Sequence, residues 1–98
     1  MPNILRASGV VEAFDVPRVK TKKSKIDTFK RLQAAVGGPV QYLTLDATRV
    51  LALNEEAGLL GKPLNAAASA MLQAAGGERE TVQLRGDVVV MHPSEVPG

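Results

Sequence analysis

The sequence predicts an α+β fold, with a small mixed, mostly antiparallel sheet and two helices packed on one face of it. Short runs rich in β-branched residues lie between turn-forming glycines and prolines, a pattern typical of strands. Two other segments carry apolar residues at helical spacing, and a pair of glycines follows each of them. The order is strands, helix, hairpin, loop, helix, strand. It favours one domain over residues 1–91, followed by an extended tail over residues 92–98.

The first two strands are predicted to form a hairpin. Residues 4–7 and 10–16 are strand-like, and Ser8-Gly9 between them favours a turn, because glycine reaches backbone conformations that are closed to other residues. Pro17 ends the second strand and a basic loop follows.

The first helix is predicted to begin at Ser24, which can act as its N-cap with Asp27 three residues later. Its inward stripe is predicted from helical spacing and consists of Ile26, Phe29, Leu32, Gln33 and Val36. Gly37-Gly38-Pro39 ends the helix, since glycine favours the left-handed residue after a helix and proline cannot continue it.

A second hairpin and a second helix are predicted in the next part of the chain. Residues 40–45 and 49–53 are predicted to pair as a hairpin across a short turn. Asn65 is the predicted N-cap of the second helix, which ends at Gly76-Gly77. Its apolar stripe consists of Ala67, Ala68, Met71, Leu72 and Ala75.

The last strands come near the carboxyl terminus. Residues 81–84 are predicted as a short strand, and residues 88–91 are the most strand-like run of the chain. Because this run is apolar on both faces, we expect it at the centre of the sheet. Two prolines in residues 92–98 favour an extended tail.

Composition excludes several classes of function. The 98 residues contain no cysteine, which excludes disulfides, thiolate metal sites and a cysteine nucleophile. No apolar run approaches the ~18 residues of a membrane span. We expect a cytoplasmic protein without a cofactor or a metal, located in the host cytoplasm if a phage encodes it. His92, the single histidine, has no nucleophile motif beside it, so we expect no enzymatic activity.

Four fragments of the sequence, in this order, resemble the family catalogued as domain of unknown function 3846. They are Leu-Gln-Ala-Ala-Val-Gly-Gly at 32–38, Asn-Glu-Glu at 54–56, Gly-Lys-Pro-Leu-Asn at 61–65 and Gly-Asp-Val-Val-Val at 86–90. The resemblance covers about residues 5–91, and it departs at Ala57, where the family usually has glycine. It implies an accessory gene of a phage, plasmid or other mobile element, and it implies no activity.

The loop after the second hairpin is the first candidate site. Its candidate ligand-binding residues are Asn54, Glu55, Glu56, Lys62 and Asn65. Acids, amides and a lysine beside a helix N-terminus would suit a small nucleotide-like ligand, and we expect an interface between copies of a homo-oligomer to help enclose it. The alternative is structural: Asn54 ends the strand in an Asx turn, Asn65 only caps the helix, and the acids are solvated.

A basic segment is the second candidate site. Seven basic residues and one acid lie between positions 18 and 31, and the basic ones are Arg18, Lys20, Lys22, Lys23, Lys25, Lys30 and Arg31. They suit a nucleic-acid backbone or an acidic partner protein, although aromatic residues for base stacking are few. The alternative is a solvated loop.

Two hypotheses of function follow. The first is a non-enzymatic phage or mobile-element protein that acts by binding, with counter-defence by sequestration of a small nucleotide-like signal as its concrete form. The second is a protein- or nucleic-acid-binding module, such as an inhibitor of a host factor, that uses the basic segment over residues 18–31.

Overall fold

The computed structural model describes residues 2–15, 21–75 and 83–97. Within these ranges the elements are β1 Asn3–Leu5, β2 Val11–Ala13, α1 Lys22–Val36, β3 Val40–Thr44, β4 Val50–Asn54, α2 Ala66–Ala74 and β5 Val88–Met91, followed by a 3-10 helix at Pro93–Glu95. The five strands form one sheet in the order β2-β1-β5-β4-β3. The α+β class is confirmed. All four strand pairings in the described ranges are antiparallel, so the sheet is not mixed.

β5 lies at the centre of the sheet, as its apolar sequence predicts. It pairs with β1 on one side and β4 on the other. Val88 and Val89 point to opposite faces and both are fully buried. Burial on both faces explains why this strand carries no polar residue.

The two predicted hairpins are also present. β1 pairs with β2 across a turn in which Gly9 has a φ of +95°, a conformation that side chains disfavour. β3 pairs with β4, with Val40 opposite Asn54 and Thr44 opposite Val50. In the turn between them, Asp46 accepts hydrogen bonds from Thr48 and Arg49.

The helices lie on opposite faces of the sheet, which corrects the prediction that both cover one face. The core against α1 consists of Ile4, Phe14, Leu32, Val36, Val50, Ala52, Val89 and Met91. The core against α2 consists of Leu5, Leu45, Leu51, Leu53, Ala68, Leu72, Leu84 and Val88. Successive residues of β4 alternate between these two cores, and all of β4 is buried. A strand that is apolar on both faces needs a cover on each side.

α1 begins at Lys22, so Ser24 is not its N-cap. Thr21 is the cap: its Oγ1 accepts from the N–H of Ser24 (3.1 Å), and Ser24 Oγ accepts from the N–H of Thr21 (2.8 Å). This reciprocal pair replaces the predicted box with Asp27. The helix ends at Gly37 with a φ of +79°, as predicted.

The buried face of α1 also differs from the predicted stripe. Thr28, Leu32 and Val36 are buried, whereas Ile26 and Phe29 are 47% and 38% exposed. Thr28 enters the interior because its Oγ1 donates to the carbonyl of Ser24 (2.8 Å), which satisfies the hydroxyl. Gln33, the other polar member of the predicted stripe, is exposed.

α2 begins after the predicted cap, Asn65. Its buried residues are Ala68, Ser69 and Leu72, so Ala67 and Ala75, which are exposed, do not belong to its inward stripe. The predicted stop at Gly76-Gly77 lies outside the described residues.

The predicted strand over residues 81–84 lies only partly within the described ranges, since residues 81 and 82 are outside them. Leu84 is buried but is not part of a strand. Its N–H donates to Ser69 Oγ (2.8 Å), and its carbonyl accepts from the N–H of Asn65 (2.8 Å). The backbone of Leu84 is therefore hydrogen-bonded to the start of α2 rather than to a strand of the sheet.

The chain after β5 is not wholly extended. Pro93–Glu95 form a 3-10 turn, in which His92 Nδ1 accepts from the N–H of Ser94 (3.1 Å) and Glu95 accepts from the N–H of His92 (2.7 Å). Val96 then packs against the core on the α1 side. This contact explains why two prolines do not lead the chain away from the domain.

Candidate functional site

The four sequence fragments that carry the family resemblance meet at the carboxyl end of α1. Gly37 and Gly38 lie there because α1 ends at this point. A Cβ on Gly38 would lie 2.9 Å from Asn54 Nδ2, and one on Gly37 would lie 3.2 Å from Lys62 Nζ. The stem of Lys62 in turn crosses Gly86, where a Cβ would lie 2.9 Å from Cδ. Because these three glycines have no side chains, the side chains of Asn54 and Lys62 can lie between the loops and contact them.

The side chain of Asn54 is part of this junction rather than of a surface. It is 2% exposed. Its Nδ2 donates to the carbonyl of Val36 (3.2 Å), and its Oδ1 accepts from the N–H of Glu56 (2.7 Å). The second of these bonds is the Asx turn of the structural alternative. The amide thus holds the end of β4 against the end of α1.

The side chain of Asn65 is fully buried, and both its oxygen and its nitrogen form hydrogen bonds. Its Oδ1 caps α2 by accepting from the N–H of Ala68 (3.0 Å). Its Nδ2 donates to the carbonyls of Leu5 (2.7 Å) and Gly86 (2.8 Å). Both amide hydrogens therefore have partners inside the protein, so this side chain has none to offer to a ligand.

Lys62 lines a cleft with Arg6 and Asp87. The cleft has a volume of about 290 Å³, and its walls are the end of α1 and the turns at Ala7 and Gly86. The ammonium of Lys62 lies beside Gly37, at the end of the helix where the carbonyl groups concentrate partial negative charge.

The charges in this cleft are largely paired. Arg6 donates to Asp87 (2.8 Å) and to Glu12 (2.9 Å), and the N–H of Ala7 donates to Asp87 (2.9 Å). Burial favours the neutral form of Asp87. The hydrogen bond from Ala7 and the cations Arg6 and Lys62 outweigh burial and lower the pKa of Asp87. An anionic ligand would meet a carboxylate and a helix carboxyl end here, which does not favour its binding.

The structure does not bring the five residues of the first candidate site to one surface. Glu55 and Glu56 are exposed, Lys62 lies in the cleft, and Asn54 and Asn65 are inside the protein. Asn54 forms the predicted Asx turn and Asn65 is the predicted cap of α2, so the structural alternative describes their contacts.

The basic segment is divided between two sides of α1. Arg18 and Lys20 lie outside the described residues. Arg31 lies over the ring of Phe14, with Cζ 5.0 Å from the ring centre, and Lys23 is exposed. A groove on the other flank of α1 has a volume of about 390 Å³ and is lined by Lys22, Lys25, Ile26, Phe29, Lys30, Gln33 and Pro97. We call it the α1 groove.

The α1 groove combines features that the sequence alone does not bring together. Ile26 and Phe29 are counted as core by helical spacing, yet they form its apolar floor. Three lysines surround them. No signal in the sequence marks this arrangement, because the burial of Thr28 that turns Ile26 and Phe29 outward depends on a hydrogen bond to the backbone of the folded helix.

Within the described ranges there is no group of three or more histidine, aspartate or glutamate residues placed to hold a metal ion. None of the helices there has the length and hydropathy that a membrane-spanning segment needs.

Comparisons with known proteins identify one match, which is to a protein family. Neither the curated proteins nor the solved structures include a match to this chain. A family described as "Domain of unknown function (DUF3846)" matches residues 10–96. This match spans nearly the whole chain and includes all four fragments in full, with the glycines at the end of α1. The protein therefore belongs to the DUF3846 family.

Proposed function

We propose that this protein is a non-enzymatic accessory protein of a phage or mobile element, and that it acts by binding an acidic, amphipathic segment of a host protein in the α1 groove. One observation carries the proposal: Ile26 and Phe29 are 47% and 38% exposed in a groove that Lys22, Lys25 and Lys30 surround. Such a protein would act as a host-factor inhibitor, which is one route to counter-defence.

The apolar floor of the groove supports a binding role. Contiguous exposed apolar surface that is rimmed by polar residues is typical of interaction sites on soluble proteins. Phe29 adds an aromatic anchor, the kind of residue that is enriched where interfaces concentrate their binding energy. Because neither Ile26 nor Phe29 belongs to the core, a role in folding does not account for them.

The chemistry of the rim favours an acidic protein over a nucleic acid. An apolar centre within a charged rim is the usual anatomy of a protein interface. A nucleic-acid site would instead present polar groups to phosphates and several aromatic rings to bases. Among the residues that the structure describes, Phe29 is the single aromatic one that lines the groove.

Sequestration of a small nucleotide-like signal has less support. The side-chain amides of Asn54 and Asn65 are hydrogen-bonded to backbone groups inside the protein. The cleft beside Lys62 holds a carboxylate that already pairs with Arg6. A phosphate in this cleft would also meet the carboxyl end of α1, which does not favour an anion.

Fluorescence anisotropy tests the proposal with a labelled amphipathic peptide in which leucine and glutamate recur at helical spacing. Its scrambled sequence, a labelled oligothymidine and a labelled duplex are the other probes. We expect the amphipathic peptide to bind best. The double variant Lys25→Glu/Lys30→Glu should weaken its binding about tenfold or more, since rim charges of an interface are reversed.

Lys23→Glu is the matched control, because it reverses a charge on the same helix outside the groove. It should change the affinity less than about twofold. The double variant reverses two charges and the control reverses one. A loss of binding free energy in Lys23→Glu that is half or more of the loss in the double variant would therefore show attraction to net charge alone and would contradict the proposal. Tighter binding of the oligothymidine or the duplex than of the peptide would replace it with nucleic-acid binding.

A further inference from the structure

A second exposed apolar feature lies in the loop between β4 and α2. Leu59 is 89% exposed and Leu60 is 59% exposed. The loop is held in a tight turn, because the N–H of Leu60 donates to the carbonyl of Glu56 (2.9 Å) and Ala57 is buried beneath it. We call residues 55–61 the leucine turn. It presents two large apolar side chains on a defined backbone.

The leucine turn is acidic as well as apolar. It contains Glu55 and Glu56, both exposed, and no basic residue. Lys62 follows it directly, yet its side chain turns back over Gly86 toward the end of α1. The tip therefore carries negative charge beside its leucines. The α1 groove has the opposite charge around an apolar floor, so the two surfaces are complementary in both respects.

The leucine turn of one chain lies beside the carboxyl end of α1, whereas the α1 groove runs along the helix from Lys22 to Gln33. The N–H of Glu55 donates to the carbonyl of Pro39 (2.9 Å), which places the turn beside the carboxyl end of the helix. The groove includes Lys22 and Lys25 at the amino end. A helix of this length spans roughly 22 Å. The turn therefore lies far from Lys22 and Lys25, the amino-terminal part of the groove of its own chain.

We propose that the leucine turn of one copy of this protein docks in the α1 groove of a second copy. Leu59 and Leu60 contact Ile26 and Phe29, while Glu55 and Glu56 face the lysines of the rim. Such a contact joins two different surfaces, so the copies assemble head to tail into a ring or an open chain. The inference uses the groove of the proposed function with a different occupant, so a host segment and a second copy compete for it.

Sedimentation velocity over rising protein concentration tests this assembly. We expect the wild type to sediment faster as its concentration increases, and to dissociate at high salt because charges contribute to the contact. Leu59→Ser/Leu60→Ser removes the turn side, and Lys25→Glu/Lys30→Glu removes the groove side. Each variant alone should remain a monomer.

A mixture of the two variants is the decisive sample. Each retains one intact surface, so the mixture should form a dimer that grows no further. Leu64→Ser and Lys23→Glu are the controls, since Leu64 is an exposed leucine outside the leucine turn and Lys23 lies outside the groove. Both should assemble like the wild type.

Three results would overturn the inference: a wild type that stays monomeric at every concentration, assembly that survives in both double variants, or a mixture that stays monomeric. The acidic peptide separates this inference from the proposed function. If the peptide fails to bind the monomeric Leu59→Ser/Leu60→Ser variant while the mixed dimer forms, the proposed function fails and the self-association remains.

Discussion

Gly38 lies directly against the side-chain amide of Asn54. A Cβ on Gly38 would come within 2.9 Å of Asn54 Nδ2, closer than Cβ atoms approach other heavy atoms in folded proteins. Asn54 cannot move aside easily, because it is 2% exposed and hydrogen-bonded to Val36 and Glu56. The absence of a side chain at Gly38 is thus what allows β4 to end against α1.

Gly38→Ala should destabilise the protein by about 1–3 kcal/mol, the usual cost of forcing an extra carbon into a packed interior. Gly58→Ala is the matched control: neither glycine has a positive φ, and a Cβ on Gly58 would meet no atom within 4 Å. It should leave stability unchanged or raise it by up to about 1 kcal/mol. Urea unfolding followed by circular dichroism measures both. Equal effects would show that the contact with Asn54 is not the cause.

Asn65→Ala should cost about 3 kcal/mol of the free energy of unfolding. The variant loses the cap of α2, worth about 1 kcal/mol, and withdraws the donor from two buried carbonyls, those of Leu5 and Gly86. Thr21→Ala is a cap substitution without buried partners, since Thr21 is exposed. It should cost about 1 kcal/mol. A loss at Asn65 no greater than that at Thr21 would mean that the buried bonds contribute nothing.

Local chemistry made several elements predictable from sequence. Gly37 ends α1 in the left-handed conformation, and Asn65 caps α2, because these residue types satisfy helix ends in few other ways. The valines of β5 placed it at the centre of the sheet. Each of these predictions depends on neighbours within a few residues.

The features that differ from the sequence predictions depend on contacts that form only in the folded chain. Thr28 and Ser69 are buried because backbone partners satisfy their hydroxyls, and Ser69 finds its partner in Leu84. A polar residue in a helical sequence gives no sign that its side chain will be buried in this way. The opposite placement of the helices follows from β4, which is buried on both faces, but the alternation of Leu51 and Ala52 between two cores becomes clear only with the sheet assembled.

Ile26→Ser should change the free energy of unfolding by less than about 0.5 kcal/mol, since the side chain is 47% exposed and lies outside both cores. Leu32→Ala, on the buried face of the same helix, should cost about 2–5 kcal/mol through the cavity that it leaves. Chemical denaturation measures the two variants side by side. Similar losses would mean that Ile26 packs into the interior, and they would remove the basis of the α1 groove.

Asp87→Asn should weaken the dependence of stability on acid. Because the pKa of Asp87 is lowered in the folded protein, the unfolded chain takes up the proton first as the pH falls. The stabilisation from Asp87 is therefore complete above its ordinary pKa, near 4, and is lost as the pH falls through the lower pKa of the folded state.

At neutral pH the variant should cost only about 1 kcal/mol, because the carboxylate is 32% exposed and solvent screens its pair with Arg6. Between pH 6 and pH 3, as rough limits of the window, it should lose less stability than the wild type. Some acid dependence should remain, since Arg49 and the N–H of Thr48 also lower the pKa of Asp46. Asp27→Asn, at an exposed position of α1, controls for net charge. If the free energy of unfolding falls with pH equally in the wild type and in Asp87→Asn, the pKa of Asp87 does not differ between the folded and unfolded states. That result would contradict this prediction.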